Sequence, residues 1–190
     1  MSSMPSAASL PGLTGKHLYL AGYRGSGKSS VGRLLAKQLG RTWIDCDDQI
    51  EATAGCSIRE IFAEQGEVGF RDLEQTTLAT IAASPPAVVS LGGGAVLRAA
   101  NRQQIRHSGV CVWLRVDVDT VLQRLAADTT TTERRPALTS LPQREEIEKL
   151  LADRGPLYEQ VADFQLDTRG RSVDELTAQI LQQLAPSPST

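Results

Sequence analysis

The sequence has little cysteine, and the few cysteines do not follow a structural pattern. Only three occur among its 190 residues, Cys46, Cys56 and Cys111, and no two of them are spaced as C-x-x-C. An odd number without that spacing argues against both a disulfide framework and a zinc site. We therefore expect the chain to work in a reducing compartment, the cytoplasm.

A basic excess and long apolar runs are also missing. The net charge is −2, whereas nucleic acids and membrane surfaces attract proteins through an excess of positive charge. No apolar stretch approaches the roughly 20 residues that a membrane-spanning helix needs. The first 15 residues have neither the basic nor the apolar region of a secretory signal. We expect no nucleic-acid or membrane partner, and we expect residues 1–15 and 185–190 to be disordered tails.

What the chain does have is a regular alternation of strand and helix patterns. Short apolar segments predict strands that are buried on both faces of a parallel sheet, at 17–21, 42–46, 87–91, 110–115 and 163–167. Helical periodicity occurs between them. At the segment 172–184, Ser172 and Glu175 have the spacing of a capping box. This alternation indicates one α/β domain with a doubly wound sheet over residues 1–190.

One long segment lacks any period. Residues 128–141, "DTTTTERRPALTSL", contain four consecutive threonines, a proline and two arginines. An aperiodic loop of this length inside a compact domain is usually functional or disordered. We predict that it is a mobile lid.

The segment "AGYRGSGKSS", residues 21–30, satisfies G-x-x-x-x-G-K-[ST] between a predicted strand and a predicted helix. Its glycines let backbone N–H groups converge on phosphates, and the helix N-terminus favours negative charge. We expect Lys28 to reach the β- and γ-phosphates and the Ser29 hydroxyl to ligate Mg²⁺. The predicted ATP-binding residues of this phosphate loop are Gly22, Gly25, Ser26, Gly27, Lys28, Ser29 and Ser30.

Other phosphate-loop proteins carry further motifs that this chain lacks. Switch GTPases need a base-specifying N-K-x-D, which is absent here. Motor ATPases usually end the third strand with acidic residues, whereas the third predicted strand here runs into "SLGGG". The sequence therefore favours a small-molecule kinase.

Two aspartates follow the second predicted strand, in "IDCDDQIE". If the segment is extended, Asp45 and Asp47 project to the same side, at the end of the sheet where open α/β folds bind ligands. One carboxylate could then hold Mg²⁺ through water while the other orients an attacking hydroxyl. Alternatively, Asp47 or Asp48 is the N-cap of the following helix. These residues alone leave both interpretations open.

Four further segments stand in a fixed order with these two: "GEVGFRDLE" (66–74), "SLGGG" (90–94), "ERRPAL" (133–138) and "DRGPLYEQVAD" (153–163). In this combination the chain resembles the shikimate kinase family from about residue 17 to 184. The resemblance implies a three-layer fold with a five-stranded parallel sheet of order 2-3-1-4-5, helices on both faces and a hinged lid. It implies transfer of the γ-phosphoryl group of ATP to the 3-hydroxyl of shikimate, on the route to aromatic amino acids.

The resemblance also assigns roles at the acceptor side. It implies that Asp47 binds the acceptor hydroxyl and serves as its base, and that Asp45 helps Ser29 to hold Mg²⁺. Arg71 and Arg154 would clamp the shikimate carboxylate, as planar guanidinium forks do well. Glu74 would hold Arg71 in place, and the backbone of Gly92, Gly93 and Gly94 would approach the substrate closely.

On the nucleotide side, the resemblance implies that Arg135 closes on the phosphates and that Arg124 and Arg171 lie beside the adenine. Interpretations without a functional role exist for some of these residues. Arg71 and Glu74 are spaced i, i+3 and could be a pair on a helix surface, and Arg135 and Arg124 could be solvated surface residues.

Two other functions remain as alternatives. One is a kinase for another small polyol acid such as gluconate; the set of Arg71, Gly93 and Arg154 around Asp47 favours shikimate over it. The other is a non-catalytic nucleotide-binding paralogue. The presence of every expected chemical group argues against it. The expected substrates are ATP and shikimate, with Mg²⁺ as cofactor, and we expect a monomer.

Overall fold

The computed structural model describes residues 10–127 and 142–185, and within them five strands form one parallel sheet. The strands are β1 (His17–Ala21), β2 (Trp43–Asp45), β3 (Val88–Ser90), β4 (Gly109–Arg115) and β5 (Phe164–Asp167). Their order is β2-β3-β1-β4-β5, and every neighbouring pair is parallel. All five predicted strands and the implied order 2-3-1-4-5 are confirmed, the strands to within one residue at each end.

Seven α-helices occur in the described part of the chain. They are α1 (Lys28–Leu39), α2 (Cys46–Ala54), α3 (Ile58–Ala82), α4 (Ala99–Ser108), α5 (Val118–Ala127), α6 (Gln143–Val161) and α7 (Val173–Leu184). The predicted capping box at α7 is confirmed, because Ser172 Oγ accepts from Glu175 N and the Glu175 carboxylate accepts from Ser172 N at 2.7 Å. Within residues 10–127 and 142–185, no helix is both long enough and apolar enough to cross a bilayer.

The helices cover both faces of the sheet. Successive side chains of a strand point to opposite faces, so Leu18 and Leu20 of β1 pack on one side and Tyr19 on the other. Leu20 lies in a core cluster with residues of α1 and α7, such as Leu35 and Ile180. Tyr19 lies in a second cluster with residues of α3, α4 and α6, such as Leu78. This gives the expected three layers and explains why apolar residues of β1 occur on both faces of the sheet.

The first described residues contact the core of the domain. Residues 11–13 form a single turn of 3₁₀ helix, and the side chains of Leu10 and Leu13 are each 1% exposed within the α1/α7 core cluster. Arg41 also donates to the carbonyl of Leu13 at 2.8 Å. Leu10 and Leu13 therefore pack against the domain, and the extent of the predicted tail 1–15 stays a prediction. Ala185 also packs against this core cluster.

The carboxyl ends of three strands meet at one end of the sheet. Ser90, the last residue of β3, is paired with Leu20 of β1 on one side and Asp45 of β2 on the other. The segments that follow these strands are the phosphate loop, the Asp45–Asp47 segment and the triple glycine. Ligands of open α/β folds bind in this position. The predicted lid, residues 128–141, lies outside the described residues.

Candidate active site

The phosphate loop joins β1 to α1 in a conformation that requires glycine. Gly22, Gly25 and Gly27 have φ angles of 141°, 75° and 93°, values that residues with a Cβ rarely adopt. A Cβ on Gly22 would also lie 2.5 Å from the carbonyl oxygen of Leu114. Gly27 is the N-cap of α1, with no side-chain cap. The first amides of that helix are thus not capped by a side chain, which suits an anion.

Lys28 lies across this loop. Its Nζ donates to the carbonyl oxygens of Gly22 and Tyr23, at 2.8 and 2.9 Å. Of the serines in the motif, Ser26 is buried, while Ser29 and Ser30 are exposed in the first turn of α1. An ammonium group held in this way can exchange carbonyl oxygens for phosphate oxygens with a small movement of the side chain.

Arg124, on α5, donates hydrogen bonds that connect the phosphate loop to the end of β5. Its Nη1 donates to the carbonyl of Gly25 at 2.8 Å, and its Nη2 donates to the carbonyl of Thr168, just after β5, at 3.1 Å. Arg124 is therefore not a solvated surface residue. Arg171 is exposed, and its guanidinium donates to the side chain of Gln179 on α7. Whether either residue contacts adenine stays a prediction.

Asp45 and Ser29 lie together at the end of β2. The Ser29 hydroxyl donates to Asp45 Oδ2 at 3.1 Å, and Asp45 Oδ1 accepts from the backbone N of Asp47 at 3.0 Å. Burial, and next the negative charge of Asp47, raise the pKa of the Asp45 carboxyl above its ordinary value. A carboxylate that is costly to ionise in this position would gain from a cation beside it.

This pair fits the predicted metal. Mg²⁺ at nucleotide sites is bound by one or two protein oxygens, with phosphates and water completing its shell. A hydroxyl and a carboxylate, the predicted Ser29 and Asp45, are such a donor set. Among the described residues no group of three or more His, Cys, Asp or Glu side chains could hold a metal ion.

The Asp45–Asp47 segment is not extended, and this corrects two expectations. Helix α2 begins at Cys46, Asp45 is its N-cap, and Asp47 lies in the first turn. The prediction that Asp47 or Asp48 caps the helix is therefore wrong, as is the same-side argument from an extended strand. The reason is that the Asp45 carboxylate reaches a backbone N–H two residues on, a favourable cap. Asp47 is half-buried and Asp48 is exposed.

The triple glycine after β3 receives both predicted clamp arginines. The carbonyl of Gly93 accepts from Arg154 Nη1 at 3.1 Å and from the Tyr158 hydroxyl at 2.6 Å. A Cβ on Gly94 would lie 2.5 Å from Arg71 Nη2. The side chains come from α6 and α3, on different parts of the chain. At Gly94 only glycine lets the Arg71 guanidinium approach the backbone this closely, whereas a Cβ on Gly93 would make an ordinary contact of 3.6 Å with Arg154 Nη1.

Arg71 and Glu74 form a buried pair. Arg71 Nη1 donates to Glu74 Oε2 at 2.8 Å, and the two residues are 7% and 2% exposed. Glu67, on the solvent side, accepts from Arg71 Nη2 at 3.2 Å. The interpretation as a helix-surface pair is therefore wrong. Helix α3 breaks at Gly66, where φ is 67°, and the segment after this break carries Arg71.

Sequence reasoning gave no site role to Cys46, which links two parts of the site. Its side chain is buried, in one core cluster with Leu91 and Ala95, which flank the triple glycine. Burial, and next the charges of Asp47, Asp45 and Glu74, raise the pKa of this thiol well above its ordinary value, so it stays neutral. The packing of Cys46 brings the start of α2 against the triple glycine. No spacing in the sequence indicates it.

Tyr158 and Ser90 are two further site residues for which no role was predicted from the sequence. Tyr158 lies four residues after Arg154, so both reach Gly93 from one face of α6; this spacing could have indicated the pair. Ser90 Oγ donates to the carbonyl of Lys28 at 3.2 Å and accepts from Trp43 Nε1 at 3.1 Å. It thereby joins β3 to the start of α1. Arg135 lies outside the described residues.

Comparisons with known proteins show which family the chain resembles. A family model described as shikimate kinase matches residues 24–185. A curated shikimate kinase of Rhodopirellula baltica is 48% identical over 172 residues, which are 90% of this chain and 91% of that protein. A solved structure of a shikimate kinase from Acinetobacter baumannii, in complex with shikimate, is 35% identical, with a TM-score of 0.85 over 94% of this chain and 96% of that one.

A gluconokinase from Sinorhizobium meliloti is similar in fold alone, at 19% identity and a TM-score of 0.53 over 90% of this chain and 91% of that one. The family model covers most of this chain, and the relative at 48% identity is covered over nine tenths of its length. The chain therefore belongs to the shikimate kinase family.

Proposed function

We propose that this chain transfers the γ-phosphoryl group of ATP to the 3-hydroxyl of shikimate. The observation that carries the proposal is the convergence of two buried guanidinium groups on the triple glycine, with Arg154 Nη1 3.1 Å from Gly93 O and Arg71 against Gly94. Shikimate offers one carboxylate and three hydroxyls. Planar forks suit the carboxylate, and a carboxylate side chain suits a hydroxyl.

On the acceptor side, Asp47 orients the 3-hydroxyl and accepts its proton as the oxygen attacks. Its place supports this role, because it is half-buried in the first turn of α2, and Cys46 of that turn lies in one core cluster with Leu91 and Ala95, on either side of the triple glycine. Glu74 keeps the Arg71 fork in a single orientation through the 2.8 Å hydrogen bond. The backbone of Gly92, Gly93 and Gly94 approaches the substrate where a side chain would block it.

On the donor side, the residues of the phosphate loop hold ATP, and Ser29 and Asp45 hold Mg²⁺. The bound Mg²⁺ supplies positive charge to the phosphate oxygens. Lys28 exchanges its two carbonyl partners for the β- and γ-phosphates, and Arg135 adds a further cation. Phosphoryl transfer passes through a loose transition state, so that positioning and charge neutralisation account for most of the catalysis.

We extend the proposal to the setting of the enzyme. We place it in the cytoplasm as a monomeric single-domain kinase that uses ATP and shikimate and has no nucleic-acid or membrane partner. Cys46, Cys56 and Cys111 are all free thiols, which supports a reducing compartment. The segment 128–141 is proposed as its lid, and Arg124 and Arg171 as its residues near the adenine.

The experiment that tests the reaction is ADP release in a coupled assay with Mg-ATP. Shikimate is compared with gluconate and with no acceptor, and Lys28→Met serves as a variant without the phosphate-loop ammonium. We expect shikimate alone to stimulate ADP release, and the variant to lose most of this stimulation. Stimulation by gluconate alone would indicate a polyol-acid kinase. ATP binding without stimulation by either acceptor would indicate a non-catalytic paralogue.

A further inference from the structure

An ion pair between a buried carboxylate and a half-buried arginine connects the phosphate loop to helix α6. Arg24 occupies a variable position of the loop motif, and its Nη2 lies 4.0 Å from Glu146 Oε2. The Glu146 side chain is 3% exposed and that of Arg24 is 16% exposed. A carboxylate removed from water to this extent is costly unless a positive charge compensates it. We refer to this contact as the Arg24–Glu146 pair.

Helix α6 carries both this pair and a predicted clamp arginine on one buried stripe. Glu146, Leu150, Arg154 and Tyr158 follow at intervals of four residues, and all four are buried. At a rise of 1.5 Å per residue, Glu146 and Arg154 are about 12 Å apart along the helix axis. The helix therefore contacts the phosphate loop near its start and the triple glycine two turns later.

The phosphate-loop side of the Arg24–Glu146 pair also lies close to the triple glycine. Tyr23, the neighbour of Arg24, packs in one apolar cluster with Ile147 and Leu150 of α6. A Cβ built on Gly93 would lie 3.7 Å from the backbone N of Arg24 and 3.6 Å from Arg154 Nη1. Arg24, Gly93 and Arg154 thus surround one place between the nucleotide and acceptor sides.

We propose that the Arg24–Glu146 pair positions Arg154, so that Glu146 sets the affinity for the acceptor without touching it. The inference rests on the proposed function, in which Arg154 binds the shikimate carboxylate. The pair and the Tyr23 contacts hold the first turns of α6 against the phosphate loop, and the rigid helix transmits this placement to Arg154. Displacement of a substrate-binding group by even about 1 Å has large effects on catalysis.

The test is Glu146→Gln, with Glu145→Gln as its matched control. The control removes the same charge from the adjacent but exposed residue. We expect E146Q to raise KM for shikimate about three- to tenfold, the size of effect seen when residues in one network are uncoupled. KM for ATP should change less than about twofold, and E145Q should match the native protein in both constants. Thermal unfolding of each variant is measured in parallel.

Combining E146Q with Arg154→Lys separates a positioning role of Glu146 from a general loss of structure. If Glu146 acts through Arg154, then E146Q should add little to the shikimate KM of Arg154→Lys, whereas independent effects multiply. An E146Q variant that equals E145Q would overturn the proposal, as would multiplication of the two effects. A lower shikimate KM in E146Q would also overturn it, because Arg24 would then be binding the acceptor itself.

A wrong acceptor site and a wrong positioning role give different results. If Arg154→Lys alone leaves the shikimate KM unchanged, the proposed acceptor site is wrong. If R154K raises it and E146Q does not, only the positioning role is wrong. Should E146Q fail to fold, the double variant Arg24→Met with Glu146→Met removes both charges together, which avoids a buried unpaired charge. This double variant replaces E146Q in the same assays. We expect the same rise in KM for shikimate, and the same results would overturn the proposal.

Discussion

The guanidinium group of Arg71 occupies the space that a side chain at Gly94 would need. A Cβ built there would lie 2.6 Å from Arg71 Cζ and 2.5 Å from its Nη2. The fork is fixed on its other side by Glu74, which accepts from Nη1 at 2.8 Å. The orientation of Arg71 therefore depends as much on the absence of a side chain at position 94 as on its carboxylate partner.

Gly94→Ala should consequently displace the Arg71 fork and weaken acceptor binding. We expect KM for shikimate to rise at least about tenfold, which corresponds to about 1.4 kcal/mol of binding free energy, with a much smaller change in KM for ATP. Gly155→Ala is the control, because a Cβ on Gly155 would meet no atom within 4 Å. Initial rates at varied shikimate and fixed Mg-ATP give the constants. Equal shikimate KM values in the two variants would contradict the role of the Gly94 contact.

Asp47→Asn tests the proposed base, with Asp48→Asn as the matched control. The two aspartates are adjacent in the first turn of α2, but Asp47 is half-buried beside the site and Asp48 is exposed. We expect D47N to lower kcat by at least about 100-fold, the scale of one general base, while the affinity for an ATP analogue is retained. D48N should keep nearly native turnover. A D47N enzyme with near-native kcat would remove Asp47 from this role.

Asp45→Asn should stabilise the fold at neutral pH while it impairs metal-dependent turnover. Burial and the nearby Asp47 raise the pKa of Asp45 in the folded state, so the folded protein holds this proton to higher pH than the unfolded chain. The stability linked to the proton is present below pH about 4 and is lost as pH rises through the folded pKa. Asparagine caps a helix about as well as aspartate but does not ionise.

The measurement for this variant is thermal unfolding of D45N and the native protein, without Mg²⁺, between pH 3.5 and 7. We expect D45N to have the higher Tm at pH 7, by up to about 3 °C for a domain of this size, and the difference to vanish near pH 3.5. The opposite sign at pH 7 would show that the ionised Asp45 stabilises the free protein. Activity is measured across a Mg²⁺ titration, where D45N should need a higher concentration.

Much of the fold and many of the candidate site residues could be predicted from local sequence patterns. The apolar runs and the glycine-rich loop define β1 and the start of α1, because a buried strand and a phosphate loop each need particular residue types in consecutive positions. The burial of Leu10 and Leu13 could not be predicted, since a tail rich in Ser, Ala and Pro has no period. The core cluster shared by Cys46 and Leu91 and the Arg24–Glu146 pair bring together residues 45 and 122 positions apart. Such contacts depend on how helices dock on the sheet, which no local spacing encodes.

Two roles for Arg124, support of the phosphate loop and contact with adenine, are separated by one variant. In the structure it supports the phosphate loop by donating to the carbonyls of Gly25 and Thr168. Arg124→Met leaves these acceptors without their donor, a loss of about 1–3 kcal/mol for each buried group. We expect KM for ATP to rise at least about tenfold, with little change in KM for shikimate. Arg59→Met, an exposed residue of α3, is the control and should match the native enzyme.

Inorganic tripolyphosphate, used as a competitive inhibitor against ATP, decides which role of Arg124 matters. This ligand has the phosphates but no base. If Arg124 acts by holding the phosphate loop, R124M weakens inhibition by tripolyphosphate by about the same factor as it raises KM for ATP. If Arg124 acts by contacting adenine, the inhibition constant of tripolyphosphate stays native while KM for ATP rises. The 2.8 Å hydrogen bond to Gly25 and the hydrogen bonds to Thr168 fix the phosphate loop itself. We therefore expect R124M to weaken inhibition by tripolyphosphate.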